Sequence, residues 1–188
     1  QRRSARRAEM RRRFEEILEI ARKREVAALL MAGDLFDGPA AESGQWVKAH
    51  LAALAGQGIR VYLIPGNHDP LEQCRFYQGD FPSRVHVFKA PEPEVCEDLP
   101  GVAIHGLSYR SAGRRQSPLR GLVRRGDAPW QIALIHGQLR SSTLIGEDYA
   151  PFDPGEIAAC GLDYLALGHY HGFLDCSEIG RASCWERV

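Results

Sequence analysis

The sequence predicts an α/β fold organised around a parallel sheet. Short apolar runs alternate with helical segments through residues 26–64, and apart from Arg60 the runs are apolar on successive residues, as strands covered on both faces are. Four such runs along the chain break off at a glycine-containing cluster of polar side chains. In order, residues 5–24 are rich in Ala, Arg and Glu, carry Met10, Phe14, Ile17, Leu18 and Ala21 at helical spacing, and predict a helix. Val26 to Ala32 predicts a buried strand ending at Gly33-Asp34. Residues 41–56 predict a second helix, with Trp46, Val47, His50, Leu51 and Leu54 on one side and Gly56 and Gly58 as the stop. Ile59 to Ile64 is the next strand, so strand, helix and strand form a parallel βαβ unit. Val85–Phe88, Val102–Leu107 and Gln131–His136 follow as short strands, and 110–129 as a long loop with little periodicity. Pro154–Cys160 predicts a short helix with Asp153 as N-cap, and Leu162–Leu167 a last strand ending in Gly168-His169-Tyr170-His171.

The chain has 188 residues, 44% hydrophobic, with formal net charge +0. That is one globular domain with a sizeable core, here 1–177. No apolar run reaches a membrane span, and the balanced charge gives no global attraction to nucleic acid. Five cysteines, an odd number with no Cys-x-x-Cys, argue against a disulfide framework or zinc knuckle and predict reduced thiols in a cytoplasmic protein. Residues 178–188, "EIGRASCWERV", have no periodicity, resemble translated sequencing-adapter read-through and are expected to be a non-native tail without function.

Ligands of α/β sheets bind beyond the carboxyl ends of the strands, so clusters far apart in sequence can converge there. Pooling them gives Asp34, Asn67, His136, His169 and His171, a mixed oxygen and imidazole set without thiolate. Such a set suits Mn, Fe(II) or Zn in an open geometry better than a closed structural zinc. A carboxylate can bridge two cations about 3.5–4 Å apart, the arrangement that clamps a displacement at phosphorus and acidifies a bound water. In "GNHD" (66–69), Asn67 is the ligand, and His68 is free to reach a phosphate or leaving oxygen. Asp69 is expected to hold the far N–H of that imidazole, and Gly66 to permit a tight turn and close substrate approach.

"GDLFD", "GNHD", "LIHG" and "GHYH", in this order and each at the end of an apolar strand, resemble the signature of the calcineurin-like metallophosphoesterases. "LLMAGDLFD" with its preceding helix, and "YAPFDPGEIAACGLDYLALGHYH", are similar to bacterial SbcD-type nuclease subunits, in particular the YhaO-like DNA repair exonucleases. The resemblance implies a four-layer αββα sandwich and a two-metal phosphodiesterase acting on DNA. Two divalent ions are implied, Mn first, with Fe, Zn or Mg as alternatives, and an SMC-like ATPase as partner. It implies Asp34 as the bridging ligand, Asn67, His136 and His169 on one metal, His171 on the other, His68 as the phosphate-contacting acid, Asp69 as its partner, and Asp37 in support. The family's first strand ends in Asp-x-His; none precedes Asp34 here, so the first-metal site is expected to be incomplete, the sheet to lack its N-terminal strand, and this chain to hold one metal at best and catalyse weakly or not at all.

His50, His86 and His105 are read as structural. The arginines of 2–13 are read as a solvated helix face, whereas Arg114, Arg115, Arg120, Arg124 and Arg125 in the long loop are candidate DNA contacts, with no aromatic residue interleaved for base stacking. The same metal site would serve a small nucleotide or other phosphoester, and a non-catalytic scaffold is the reading from a different class.

Overall fold

Two sheets packed face to face, each with helix on its outer side, make up the computed structural model of the protein. It describes residues 2–38, 40, 42–111, 113–140, 149–169, 174–175 and 182–184. The first sheet has order β1-β2-β3 and is wholly parallel, from β1 (Ala28–Ala32), β2 (Arg60–Ile64) and β3 (Val85–Val87). The second is built on β4 (Glu94–Leu99), β5 (Val102–Leu107), β6 (Trp130–His136) and β9 (Tyr164–Gly168), with β10 (Leu174–Asp175) and β11 (Ala182–Cys184) beyond β9. Its β5, β6 and β9 run parallel, and β4 returns antiparallel on β5. A two-stranded ribbon joins β7 (Gln138–Leu139) to β8 (Pro151–Phe152).

The period of two along each strand sorts the side chains into three apolar layers. On β2, Val61 and Leu63 face α1 (Arg2–Lys23) and α2 (Gly44–Gly56), while Tyr62 and Ile64 face the second sheet. On β6, Ile132 and Leu134 fill the inter-sheet layer, while Ala133 and Ile135 pack under α4 (Pro154–Ala159) through Ile157 and under the turn carrying Leu119 and Leu122. Helix, sheet, sheet and helix are therefore the four layers of an α/β sandwich.

Helix α1 owes its length to strong helix formers, to pairs such as Arg13–Glu16 at 2.9 Å and to Arg22 and Lys23 in its last turn. Only its second half meets the core. Leu18 and Ala21 are buried and Phe14 is partly so, but Met10 and Ile17 are about half exposed, so the spacing overstated the buried face. Helix α4 opens as expected: Asp153 is its N-cap, Pro154 its first residue, and the Glu156 carboxylate accepts the Asp153 N–H at 2.8 Å. Strands β4, β7 and β8 and the short α3 (Arg75–Gln78) were not anticipated. Cys74, Cys96 and Cys160 are free thiols, and no described helix is long and apolar enough to cross a membrane.

Of the histidines read as structural, His105 is the most buried. Gln131 donates its amide to the carbonyls of Arg125 and Ala128, so its Oε1 is the acceptor for His105 Nε2–H at 2.6 Å. His105 Nδ1 is buried without a hydrogen-bond partner among the described residues. Burial accordingly pushes the imidazole pKa down from its ordinary value of 6.5, outweighing the hydrogen bond to Gln131. The folded state binds fewer protons here than the unfolded chain, so the stability it contributes is present above the unfolded pKa and is lost as pH falls through that value toward the folded one. In EDTA, Tm should fall from pH 7.5 to 5.5 more steeply in the native sequence than in His105→Gln. Parallel profiles would remove His105 as the cause.

Candidate metal centre

Strands β1, β2, β6 and β9 all deliver their carboxyl ends to one place, where the two sheets are joined by a hydrogen bond. His136, the last residue of β6, is 1% exposed, and its Nδ1–H donates to the carbonyl of Ala32 at the end of β1, at 2.7 Å. That bond fixes the tautomer and turns Nε2, with its lone pair, toward Asn67 Oδ1 at 2.9 Å and Asp34 Oδ2 at 3.3 Å. His169 Nδ1 lies 3.0 Å from the same Asn67 oxygen. The ligating atoms of Asp34, His136 and His169 all fall within 4.8 Å of one another.

Two glycines make this convergence sterically possible. A Cβ on Gly66 would collide with the carboxylate and amide nitrogen of Asp34, and one on Gly33, itself at φ +91, would run into the His136 ring. The role expected for Gly66, a tight turn, is thus joined by that of leaving room for a neighbouring ligand. Asp34 and His169 are held at φ +51 and +104, left-handed conformations that non-glycine residues avoid. Backbone strain is stored at two of the residues that converge here.

Asp34 is half-buried. Desolvation alone would raise its carboxyl pKa, but the hydrogen bond and charge of His136 and the backbone N–H of His68, at 2.9 Å from Oδ1, outweigh it and hold the pKa below the ordinary value. Lone pairs of a carboxylate, an amide oxygen and imidazole nitrogens facing one another at hydrogen-bond distance repel unless a cation or an extra proton stands between them. The donor chemistry therefore fits a divalent metal, with oxygen and imidazole ligands and no thiolate.

His68 lies at the rim. Its side chain is half exposed, and Nδ1 is 3.7 Å from Oδ1 of the fully exposed Asp37. Asp69 takes a different place from the one expected. It is 0% exposed and turned inward, where Oδ1 accepts the Gly66 N–H at 2.8 Å and Oδ2 accepts the Phe36 N–H at 3.1 Å and the Tyr77 hydroxyl at 2.6 Å. Burial pushes its pKa up against those three donors, and the charge of Asp34 adds to that. Asp69 thus ties the loop bearing Asp34 to the loop bearing Asn67, and the carboxylate beside His68 is that of Asp37. Tyr77, the Ala32 carbonyl, Tyr109 with its ring edge-on to His136 at 5.3 Å, and Tyr149 with its ring 5.6 Å from His169 had no signal in the sequence. His171 lies outside the described residues.

A family model of calcineurin-like phosphoesterases matches residues 7–173. The chain belongs to the calcineurin-like phosphoesterases. It is a metallophosphoesterase domain by descent, in a family of hydrolases that act on phosphoester bonds and use divalent metals. It is 33% identical over 162 residues to a protein of Bacillus subtilis (strain 168) named as the uncharacterised metallophosphoesterase YhaO. The match covers 82% of this chain and 39% of the relative, so the chain spans about two-fifths of that protein's length. In this phosphoesterase the strand ends that carry "GDLFD", "GNHD" and "LIHG" meet at one place, with His169 of "GHYH" beside them.

Of the arginines expected to face DNA, Arg124 is committed within the fold. Its guanidinium bonds Asp163 Oδ2 at 3.0 Å and the carbonyls of Pro129 and Ala128 at 2.7 and 3.4 Å. These bonds hold the end of the long loop against the start of β9. Arg125 remains exposed, with its main chain clamped by the Gln131 side chain. Arg115 is exposed and Arg114 half-buried.

Proposed function

We propose that this chain is the catalytic domain of a metal-dependent phosphodiesterase acting on DNA. The observation that carries the hydrolytic part is the convergence of Asp34, Asn67, His136 and His169 at the ends of four strands, with His68 exposed at the edge of the cluster. When bound, divalent metal supplies a water acidified to near-neutral pKa and neutralises phosphate oxygens. The protein's share is to present ligands already in place: the Ala32 carbonyl sets the His136 tautomer, and the His68 N–H and His136 keep Asp34 ionised. His68 then presents a proton toward the leaving oxygen, with Asp37 orienting the ring from outside. The cluster's edge is open to solvent at half-exposed His68 and exposed Asp37, which is as compatible with a polymeric substrate as with a small one. The likeness to SbcD-type, YhaO-like nucleases supports DNA as the substrate and brings an SMC-like ATPase into the proposal as partner. Mn²⁺ is the proposed ion, on the oxygen and imidazole donor set.

The test is Mn²⁺-dependent cleavage of linear duplex DNA, by the chain alone and with an Asp-x-His strand supplied ahead of Gln1, each beside His68→Ala. Loss of the general acid should lower the rate about 10²–10⁴-fold while leaving the Mn²⁺-induced rise in Tm intact. Equal cleavage by the variant would remove His68 from the chemistry. A folded, metal-loaded protein that hydrolyses bis(p-nitrophenyl) phosphate but leaves DNA whole would shift the substrate to a small phosphoester.

A further inference from the structure

Strand β5 runs parallel to β6 and pairs Leu107 with Ile135, so the segment leaving β5 emerges on the same surface as His136. That segment is pinned to the metal centre. The Tyr109 ring meets His136 edge-on, its N–H donates to the Pro65 carbonyl at 3.3 Å, and its carbonyl accepts the Leu71 N–H at 2.8 Å. Further along, the Arg114 carbonyl accepts the Ala150 N–H at 2.8 Å, next to Tyr149, whose ring lies against His169. At and just beyond these anchors the chain forms one wall of a groove lined by Arg110, Arg114, Arg115, Gln116 and Arg120, with Glu92 as the acidic residue on it.

Four arginines against one glutamate is a strong local bias in a chain of zero net charge. The guanidiniums differ in what they already hold. Arg110 is engaged by Glu72 at 3.1 Å and by the Lys89 carbonyl. Arg114 is half-buried with Nε on the Gln116 carbonyl at 3.3 Å, and burial presses its pKa below the ordinary arginine value. The side chains of Arg115 and Arg120 make no ion pair or hydrogen bond among the described residues. No aromatic side chain lines the groove, which leaves charge and hydrogen bonding but no platform for stacking a base.

We infer that this groove binds the phosphate backbone of a nucleic acid beside the cleaved bond, through Arg114, Arg115 and Arg120 and without regard to base sequence. It rests on the reading of the metal centre as a site for DNA phosphodiesters and adds where the flanking phosphates go. Guanidinium groups suit phosphate oxygens through their forked donors. Contacts of this kind release counterions, so each one leaves its mark on the salt dependence of binding.

The test is binding of a short fluorescein-labelled duplex of mixed sequence by the whole chain in EDTA, followed by anisotropy across a salt titration. Each lost phosphate contact should flatten the slope of log K against log[salt] by about 0.9, so the Arg115→Ala/Arg120→Ala double variant should lose about 2 from the slope on any sequence. Arg115→Lys/Arg120→Lys should recover most of it, and Arg12→Ala on exposed α1 should change nothing. Hydrolysis of bis(p-nitrophenyl) phosphate should be the same in Arg12→Ala as in the native chain. An unchanged slope in the alanine double variant, or no duplex binding by the native chain at low salt, overturns the groove; DNA cleavage that persists alongside would leave the phosphodiesterase reading standing. Groove-dependent binding by a chain that hydrolyses no phosphodiester would support the groove and sink the phosphodiesterase reading instead.

Discussion

Asp34→Asn should leave the metal-free protein folded and abolish its response to metal. In the native sequence, Mn²⁺ at about 100 times its Kd should stabilise the fold by about 2.7 kcal/mol, a rise in Tm of roughly 5–10 °C for a chain of this size, reversed by EDTA. In Asp34→Asn the rise should shrink to within about 1 °C. The substitution is mild in every other respect. Asparagine keeps an oxygen for the His68 N–H, which lies 2.9 Å from Asp34 Oδ1, and is among the residues that best tolerate φ +51. What it removes is the negative charge that His136 and His68 keep ionised against the cost of burial. Because the fold holds the Asp34 pKa below its ordinary value, the ionised carboxylate contributes a little stability above that value, so the metal-free Tm should fall slightly in the variant. Differential scanning calorimetry with Mn²⁺ and with EDTA reads both effects. A variant that keeps the full metal response would place the cation away from Asp34.

Strands β1, β2, β6 and β9 were legible because each is largely apolar on successive residues and is followed by or ends in glycine within two residues, a pattern set by burial on both faces. Strand β4 was not. Its sequence, Glu-Val-Cys-Glu-Asp-Leu, is an edge whose Cys96 and Leu99 pack inward while Glu97 and Asp98 are exposed, and the charges mask its period. The candidate ligands were legible as strand-end residues, since the fold gives those ends a common address. Their supporting contacts were not, because adjacency in sequence is a poor guide to direction. His68 and Asp69 are neighbours, yet His68 turns to the rim and Asp69 into the interior, toward Tyr77 and two main-chain amides. Arg124 read as a candidate DNA contact with no sign of its ion pair, because its partner, Asp163, comes 39 residues later, on the turn entering β9. In each case the missing information is which side chain fills the space opposite, a property of packing between segments and not of local pattern.

Asp69→Ala should be the most destabilising single change near the site, at about 3–5 kcal/mol, measured by urea denaturation in EDTA. The carboxylate is fully buried and serves three donors, the amides of Gly66 and Phe36 and the hydroxyl of Tyr77. Truncation strands all three in an interior where each unpaired polar group costs about 1–3 kcal/mol, and it opens a cavity as well. Against this, burial disfavours the ionised carboxyl, so the variant recovers part of the cost of holding a charge there. The orphaned donors outweigh that recovery. Asp69→Asn separates the two contributions: it removes the charge, and its amide can donate to a reoriented Tyr77 hydroxyl, but it leaves the Phe36 N–H facing a donor. Tyr77→Phe removes one donor and keeps the clamp on both loops. The expected order of stability is native, Tyr77→Phe, Asp69→Asn, Asp69→Ala. Mn²⁺ affinity should follow the same order, falling about 10–100-fold in the Asp69 variants, because Asp69 holds Phe36 and Gly66 together and thereby sets the spacing of Asp34 and Asn67. If Asp69 instead served His68, these variants would lose cleavage rate with stability and metal affinity untouched.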